Sequence, residues 1–178
     1  AEEKRRIGEA AAALIQDGET ILLGSGTTVL EVARNLRQRH DLTVVTNSLL
    51  VMNMLADVPG ITLVGLGGIL RSTEKSFIGH LTELTLNELR VQKVIMGIRA
   101  IHLDAGITND YLPETQSDRK ILGIGRELIL VADHTKCDRI ASVFLAPLSV
   151  VQTLVTDAET PPEFVSALRD LGIQVIRA

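Results

Sequence analysis

Thr20-Ile21-Leu22-Leu23-Gly24-Ser25-Gly26-Thr27-Thr28 decides the fold. A short apolar, β-forming stretch runs straight into two glycines and three hydroxyl side chains, and a sequence of helical period follows to about Gln38. Strand, tight turn and helix in that order open a parallel sheet. Gly24 and Gly26 let the backbone turn sharply and approach a ligand without Cβ hindrance. Successive amide N–H groups then form a nest for an anion, and the helix N-terminus brings its partial positive charge to the same point. Ser25, Thr27 and Thr28 add hydroxyl donors. A phosphate or another small anion fits such a loop. A plain strand-to-helix turn capped by Thr27 or Thr28 accounts for the same residues equally well. No Gly-Lys-Ser/Thr follows, so the loop is not a Walker A, and the third glycine of the dinucleotide fingerprint is missing.

Outward from this unit, strands and helices alternate. The spacing predicts a helix over about Glu3 to Gln16, with Ile7, Ala10, Ala11, Leu14 and Ile15 on one face, ended by Asp17-Gly18. Leu42 to Thr46 reads as a strand, Asn47-Ser48 as a helix cap, Ile61 to Gly65 as a third strand, and Gly67-Gly68 as a turn. Leu81 to Leu89 reads as helix and Lys93 to Gly97 as strand. Arg99 to Gln116, with Gly106, Asn109-Asp110 and Pro113, reads as a long loop of the kind that is functional or mobile in compact domains. Ser117 to Gly125 is then a helix, Glu127 to Ala132 and Val151 to Thr156 strands, Pro161 to Leu171 a helix, and Ile173 to Ile176 a last strand. Repeated β-α-β over 178 residues predicts one domain, a mostly parallel three-layer α/β sheet.

Composition narrows the function. The chain is 46% hydrophobic but only 2% aromatic, which suits aliphatic strands under Ala/Leu-rich helices and not a base-stacking surface. Its net charge is -4 and it has no basic stripe, so it is not itself a DNA-gripping domain. Lys4-Arg5-Arg6 reads as a solvated helix face. The lone Cys137 rules out an internal disulfide and fits a reducing compartment. There is no apolar run of membrane-spanning length and no signal peptide. The chain opens Ala-Glu-Glu-Lys without Met, which reads as a piece of a longer protein.

In an open parallel sheet, ligands bind beyond the carboxyl ends of the strands. The loops there are Gly24 to Thr28, Thr46 to Ser48, Gly65 to Gly68, Gly97 to Arg99, Asp133 to Lys136 and Thr156-Asp157. Polar and small residues collect in them, which predicts a polar crevice. Asn47 and Ser48 fit a sugar hydroxyl or, in their ordinary role, a helix cap. Lys136, Arg71, Lys75 and Arg99 are either anion contacts or solvated cations. His40, His80, His102 and His134 show no metal-ligand spacing and Cys137 has no companion, so neither metal nor cofactor is expected. No Gly-x-Ser-x-Gly elbow is present.

Taken in order, these loops resemble the C-terminal effector-binding domain of DeoR-type transcription regulators over essentially the whole chain. The resemblance is carried by Asp17-Gly18, Ile21 to Thr28, Thr43 to Ser48, Leu66-Gly67-Gly68-Ile69-Leu70-Arg71, Gly79, Gly106-Ile107-Thr108, Glu114, Ala132 to Lys136 and Thr156-Asp157. It implies a Rossmann-like sheet similar to that of ribose-5-phosphate isomerase. It also implies a phosphorylated sugar or related metabolite as effector, a cytoplasmic homodimer or homotetramer, and DNA binding only through a winged helix-turn-helix absent from this chain. The expected effector site comprises Gly24, Ser25, Gly26, Thr27 and Thr28 at the phosphate, and Thr46, Asn47 and Ser48 at the sugar. Gly67, Gly68, Arg71, Arg99 and Glu114 complete it, with Lys136 as the point charge. Two departures stand out. Gly24 replaces an Asp frequent in the family, and Asp118-Arg119-Lys120 stands where the family tends to have a Lys-Arg pair after the matched Glu.

The rival reading is a sugar-phosphate isomerase, whose acid–base groups would be Glu114, Asp133 and Lys136. Against it, no compact acidic motif lies in the middle strand-loop region. A third reading is an oligomerisation module with a vestigial pocket. Phe144, Leu145 and Leu148 fit either an interface or the core.

Overall fold

A computed structural model describes residues 1–178. Helix α1 (Glu2–Ala12) leads into β1 (Thr20–Leu23), α2 (Thr27–Arg34), β2 (Leu42–Thr46), α3 (Leu49–Leu55) and β3 (Ile61–Gly65). A hairpin of β4 (Ile69–Arg71) and β5 (Ser76–Ile78) and helix α4 (His80–Leu86) follow. The chain then returns through β6 (Val91–Gly97), β7 (Ala100–His102), β8 (Gly106–Asn109), α5 (Leu112–Leu122) and β9 (Gly125–Val131). It closes with β10 (Val143–Ala146), β11 (Thr153–Thr156), α6 (Pro162–Asp170) and β12 (Gln174–Arg177).

Seven strands form one parallel sheet in the order β12-β11-β9-β6-β1-β2-β3. The strands are apolar because both faces are covered, and the period of two sorts them into separate cores. Ile21 and Leu23 of β1 belong to one core and Leu22 to the other; Ile95 of β6 and its neighbours Val94 and Met96 divide likewise. Helices α1, α2 and α3 supply Ile7, Val32 and Val51 to the first core. Helices α4, α5 and α6 supply Leu86, Ile121 and Leu168 to the second. The α1–α2 crossing is close: a Cβ on Gly8 would lie 2.6 Å from the backbone carbon of Glu31. No helix is long and apolar enough to cross a membrane.

The chain winds from β1 to one sheet edge, then crosses back to β6 and winds to the other. The strand order therefore reverses between β1 and β6, and at such a switch point an open α/β sheet leaves a crevice beyond the carboxyl ends of its strands.

The structure differs from the sequence reading mainly in the middle of the chain. The stretch expected to be a loop carries β7 and β8, which form a small antiparallel sheet with β10. Helix α5 begins at Leu112, five residues before the expected Ser117, because Pro113 sits in its first turn, where a missing N–H costs nothing. Beyond the Gly67-Gly68 turn, the β4–β5 hairpin was not foreseen. Leu145 and Leu148 belong to the core, whereas Phe144 is exposed.

Candidate functional site

A cavity of about 370 Å³ opens at the carboxyl ends of β1, β6 and β9. Its floor is the loop Gly24 to Thr28. Gly26 is the N-cap of α2 with φ 106°, and no side chain caps that helix. Neither Thr27 nor Thr28 is the cap, which removes the simple capping explanation. The amides of Ser25 and Gly26 donate to no backbone carbonyl, and both residues line the cavity. Gly24 is held from below, its N–H donating to the Ile95 carbonyl at 2.9 Å.

The walls are polar. Arg71, from the end of β4, pairs with Glu114 at 3.4 Å and stacks 4.1 Å over the Tyr111 ring. The Ser76 hydroxyl donates to the same Glu114 carboxylate. Arg99, after β6, pairs with Glu74 and with Asp110 at 3.6 Å. Its backbone N–H donates to Asn109 Oδ1 at 3.3 Å, and the Asn109 amide donates to Asp118 Oδ2 at 3.2 Å. Asp118 is buried. Burial pushes its carboxyl well above the usual carboxylate range, Glu114 adds to the rise and Arg71 opposes it. Asp133 accepts from the Thr135 N–H at 2.9 Å and so caps the short helical turn His134–Lys136. Both arginines are thus engaged with carboxylates. Lys136 and Lys4 are in no ion pair, and they supply the free positive charge of the lining.

Of the residues expected in the site, Gly24, Ser25, Gly26, Thr27, Thr28, Arg71, Arg99, Glu114 and Lys136 line this cavity. Thr46, Asn47, Ser48, Gly67 and Gly68 do not, because the β4–β5 hairpin folds over the ends of β2 and β3. The Thr46 hydroxyl donates to the Leu23 carbonyl at 2.7 Å and accepts the Ser48 N–H at 3.1 Å. Asn47 bonds the Phe77 backbone in both directions, at 3.1 and 2.8 Å. Ser48 caps α3, its hydroxyl accepting the Val51 N–H at 3.2 Å. Gly68 has φ 145°, and a Cβ there would fall 2.3 Å from Thr82 Oγ1. These are structural roles. Ser48→Ala should accordingly cost about 1 kcal/mol of stability while leaving any ligand affinity at the cavity within twofold. A large affinity loss in a titration of the variant would return Ser48 to the site.

Sequence reasoning missed Lys4, Asn109, Tyr111 and Asp118 as lining residues. Lys4 had been read with Arg5 and Arg6 as solvated; those two indeed pair with Glu2 on the outside, at 2.8 and 3.2 Å. Asp118 lies one helical turn after Glu114 and shares its face, a signal visible only once the helix is begun at Leu112. Away from the cavity, His134 Nδ1 lies 2.9 Å from Asp157 and 3.2 Å from Glu159. The hydrogen bond to Asp157 raises the imidazole above its ordinary pKa. This clasp ties the His134 turn to the loop after β11.

Solved structures of similar shape give the fold class first. Ribose 5-phosphate isomerase A from Methanocaldococcus jannaschii superposes with a TM-score of 0.55 at 17% identity, over 75% of this chain and 53% of that one. Translation initiation factor eIF-2B from Pyrococcus horikoshii gives 0.54 at 21%, over 86% and 62%. The chain therefore has the α/β fold of the sugar-phosphate isomerases and of eIF-2B. Its family follows from sequence: the DeoR C terminal sensor domain matches residues 1–158, and the chain belongs to that family. The glycerol-3-phosphate regulon repressor of Escherichia coli K12 is 34% identical over 98% of the chain and 69% of its own length. The repressor CsqR of the same strain is 34% identical over 98% and 67%. The repressor GlcR of Bacillus subtilis is 31% identical over 98% and 67%. The chain spans between 62% and 69% of the length of such relatives. They are transcriptional repressors, not enzymes. The isomerase assignment of Glu114, Asp133 and Lys136 is dropped accordingly: Glu114 is held by Arg71 and Ser76, and Asp133 is engaged in its cap.

Proposed function

We propose that residues 1–178 form one sensor unit whose cavity takes a phosphorylated sugar or a closely related metabolite, and that occupancy controls a DNA-bound repressor. The observation that carries this reading is the Gly24–Thr28 loop. Amides without a backbone partner, a helix N-terminus without a side-chain cap and lysines in no ion pair line the same open cleft. A phosphate accepts from every one of those donors and matches their charge. The glycerol-3-phosphate regulon repressor among the relatives supports the same ligand class. Arg71, Asn109, Glu114 and Asp118 would then read the remainder of the ligand. DNA binding belongs to sequence outside this chain, consistent with its acidic balance. The ligand acts by binding one state of the full repressor better than the other. A cytoplasmic homodimer or homotetramer completes the reading, supported by the exposed Ile69, Leu81 and Leu84 on β4 and α4.

The test is thermal melting against hexose, pentose and triose phosphates beside their unphosphorylated parents. A ligand at about 100 times its Kd adds about 2.7 kcal/mol, which for a domain of this size raises Tm by roughly 5–10 °C. The expected result is a rise with phosphorylated compounds only and no turnover of ribose 5-phosphate. Equal shifts with the parents, or turnover abolished by Glu114→Gln, would overturn the reading.

A further inference from the structure

Asp118 has a place in the cavity that phosphate binding does not use. Its side chain is nine-tenths buried, yet it forms part of the cavity wall. One carboxylate oxygen accepts the Asn109 amide at 3.2 Å, which fixes the rotamer, and the other has no protein partner. Glu114, one turn earlier on α5, lines the same wall. Arg71, the one cation close by, is already committed to Glu114 at 3.4 Å and to the Tyr111 ring. The cleft is therefore polarised, with unpaired lysines and amide donors at the Gly24–Thr28 loop, and on α5 a carboxyl that pairs with no cation and that burial and Glu114 dispose to hold its proton.

A buried carboxylate without a counter-charge is costly. A neutral hydroxyl adds one hydrogen bond and leaves the carboxyl to hold its proton beside Glu114. An ammonium group supplies up to three donors and the missing charge together. We propose that the Asp118 end of the cavity takes a protonated amine, so that the effector is an amino sugar phosphate. This rests on the phosphosugar reading above and narrows it. Asp118 is then the specificity-determining residue, and the tendency of its carboxyl to hold a proton in the empty cleft agrees with a partner that arrives with the ligand.

The test is calorimetric titration of the chain with glucosamine 6-phosphate and galactosamine 6-phosphate. Each is paired with its neutral 2-hydroxy counterpart and with its N-acetyl derivative, which keeps the nitrogen but loses the charge. At least one free amine should bind tenfold or more tighter than both of its neutral partners. Asp118→Asn should weaken that amine at least tenfold more than it weakens the hydroxy sugar. The wild-type comparison stands alone if the variant folds poorly. Hydroxy sugar phosphates binding as tightly as the amines would overturn the amine assignment and leave the phosphosugar reading intact, as would a preference that survives Asp118→Asn. Failure of every sugar phosphate to bind would overturn both.

Discussion

Thr27→Asp is expected to lower the affinity for any sugar phosphate by at least 100-fold while leaving the melting temperature unchanged or slightly raised. Thr27 is exposed and is the first residue of α2, on the cavity floor. A carboxylate in the first turn of a helix favours the helix by about 0.3–1 kcal/mol. It also stands where a phosphate would sit, and two like charges about 4 Å apart near a protein surface repel by about 4 kcal/mol. Stability and binding thus move in opposite directions, so misfolding cannot imitate the result. Titration and melting of the same sample check both halves. Affinity within threefold of the wild type would remove the phosphate from this loop.

Ile95→Ala should destabilise the chain by about 2–5 kcal/mol, a large share of the 5–15 kcal/mol typical of a folded protein. Ile95 lies on β6, at the centre of the sheet, paired in register with Leu23 of β1 and Ile129 of β9, and is fully buried. Nothing around it collapses easily, because its neighbours are strands bonded on both sides. Ile69→Ala, at a side chain 72% exposed, should by contrast stay within about 0.5 kcal/mol. Urea unfolding of the pair measures the difference. A cost below 1 kcal/mol at Ile95 would mean that this core is loosely packed.

What the sequence revealed follows from how each element is built. The central sheet strands are buried on both faces and read as plain apolar runs, and all seven strands of the sheet, β6 and β12 included, were legible. The Gly24–Thr28 loop was legible as a lining of the cavity because glycine and hydroxyl residues follow such a run directly. The hairpins were not, since β4, β5 and β7 have only three residues each, too few to show a period. That gap propagated into the site. Without the β4–β5 hairpin, Thr46, Asn47 and Ser48 looked open to a ligand, although the hairpin covers them. Pro113 reads as part of a loop, although proline also suits the first turn of a helix, and beginning the helix at Ser117 instead of Leu112 hid the face that Asp118 shares with Glu114. Lys4 was hidden differently, since nothing in a run of three basic residues says that one of them turns toward a cleft.

The reversal of strand order gives the sheet a seam. Residues before β4 build β1, β2 and β3, residues after it build β6, β9, β11 and β12, and within the sheet the two groups join only along β1 and β6. The cavity straddles that join, with Gly24–Thr28 on one side and Gly97, Arg99 and Asp118 on the other. A molecule seated there staples the halves together, and its binding energy opposes their separation. The amide protons that cross the seam, Gly24 to Ile95 among them, then exchange with solvent more slowly in the occupied protein, and the cleft sets how readily the whole sheet breathes.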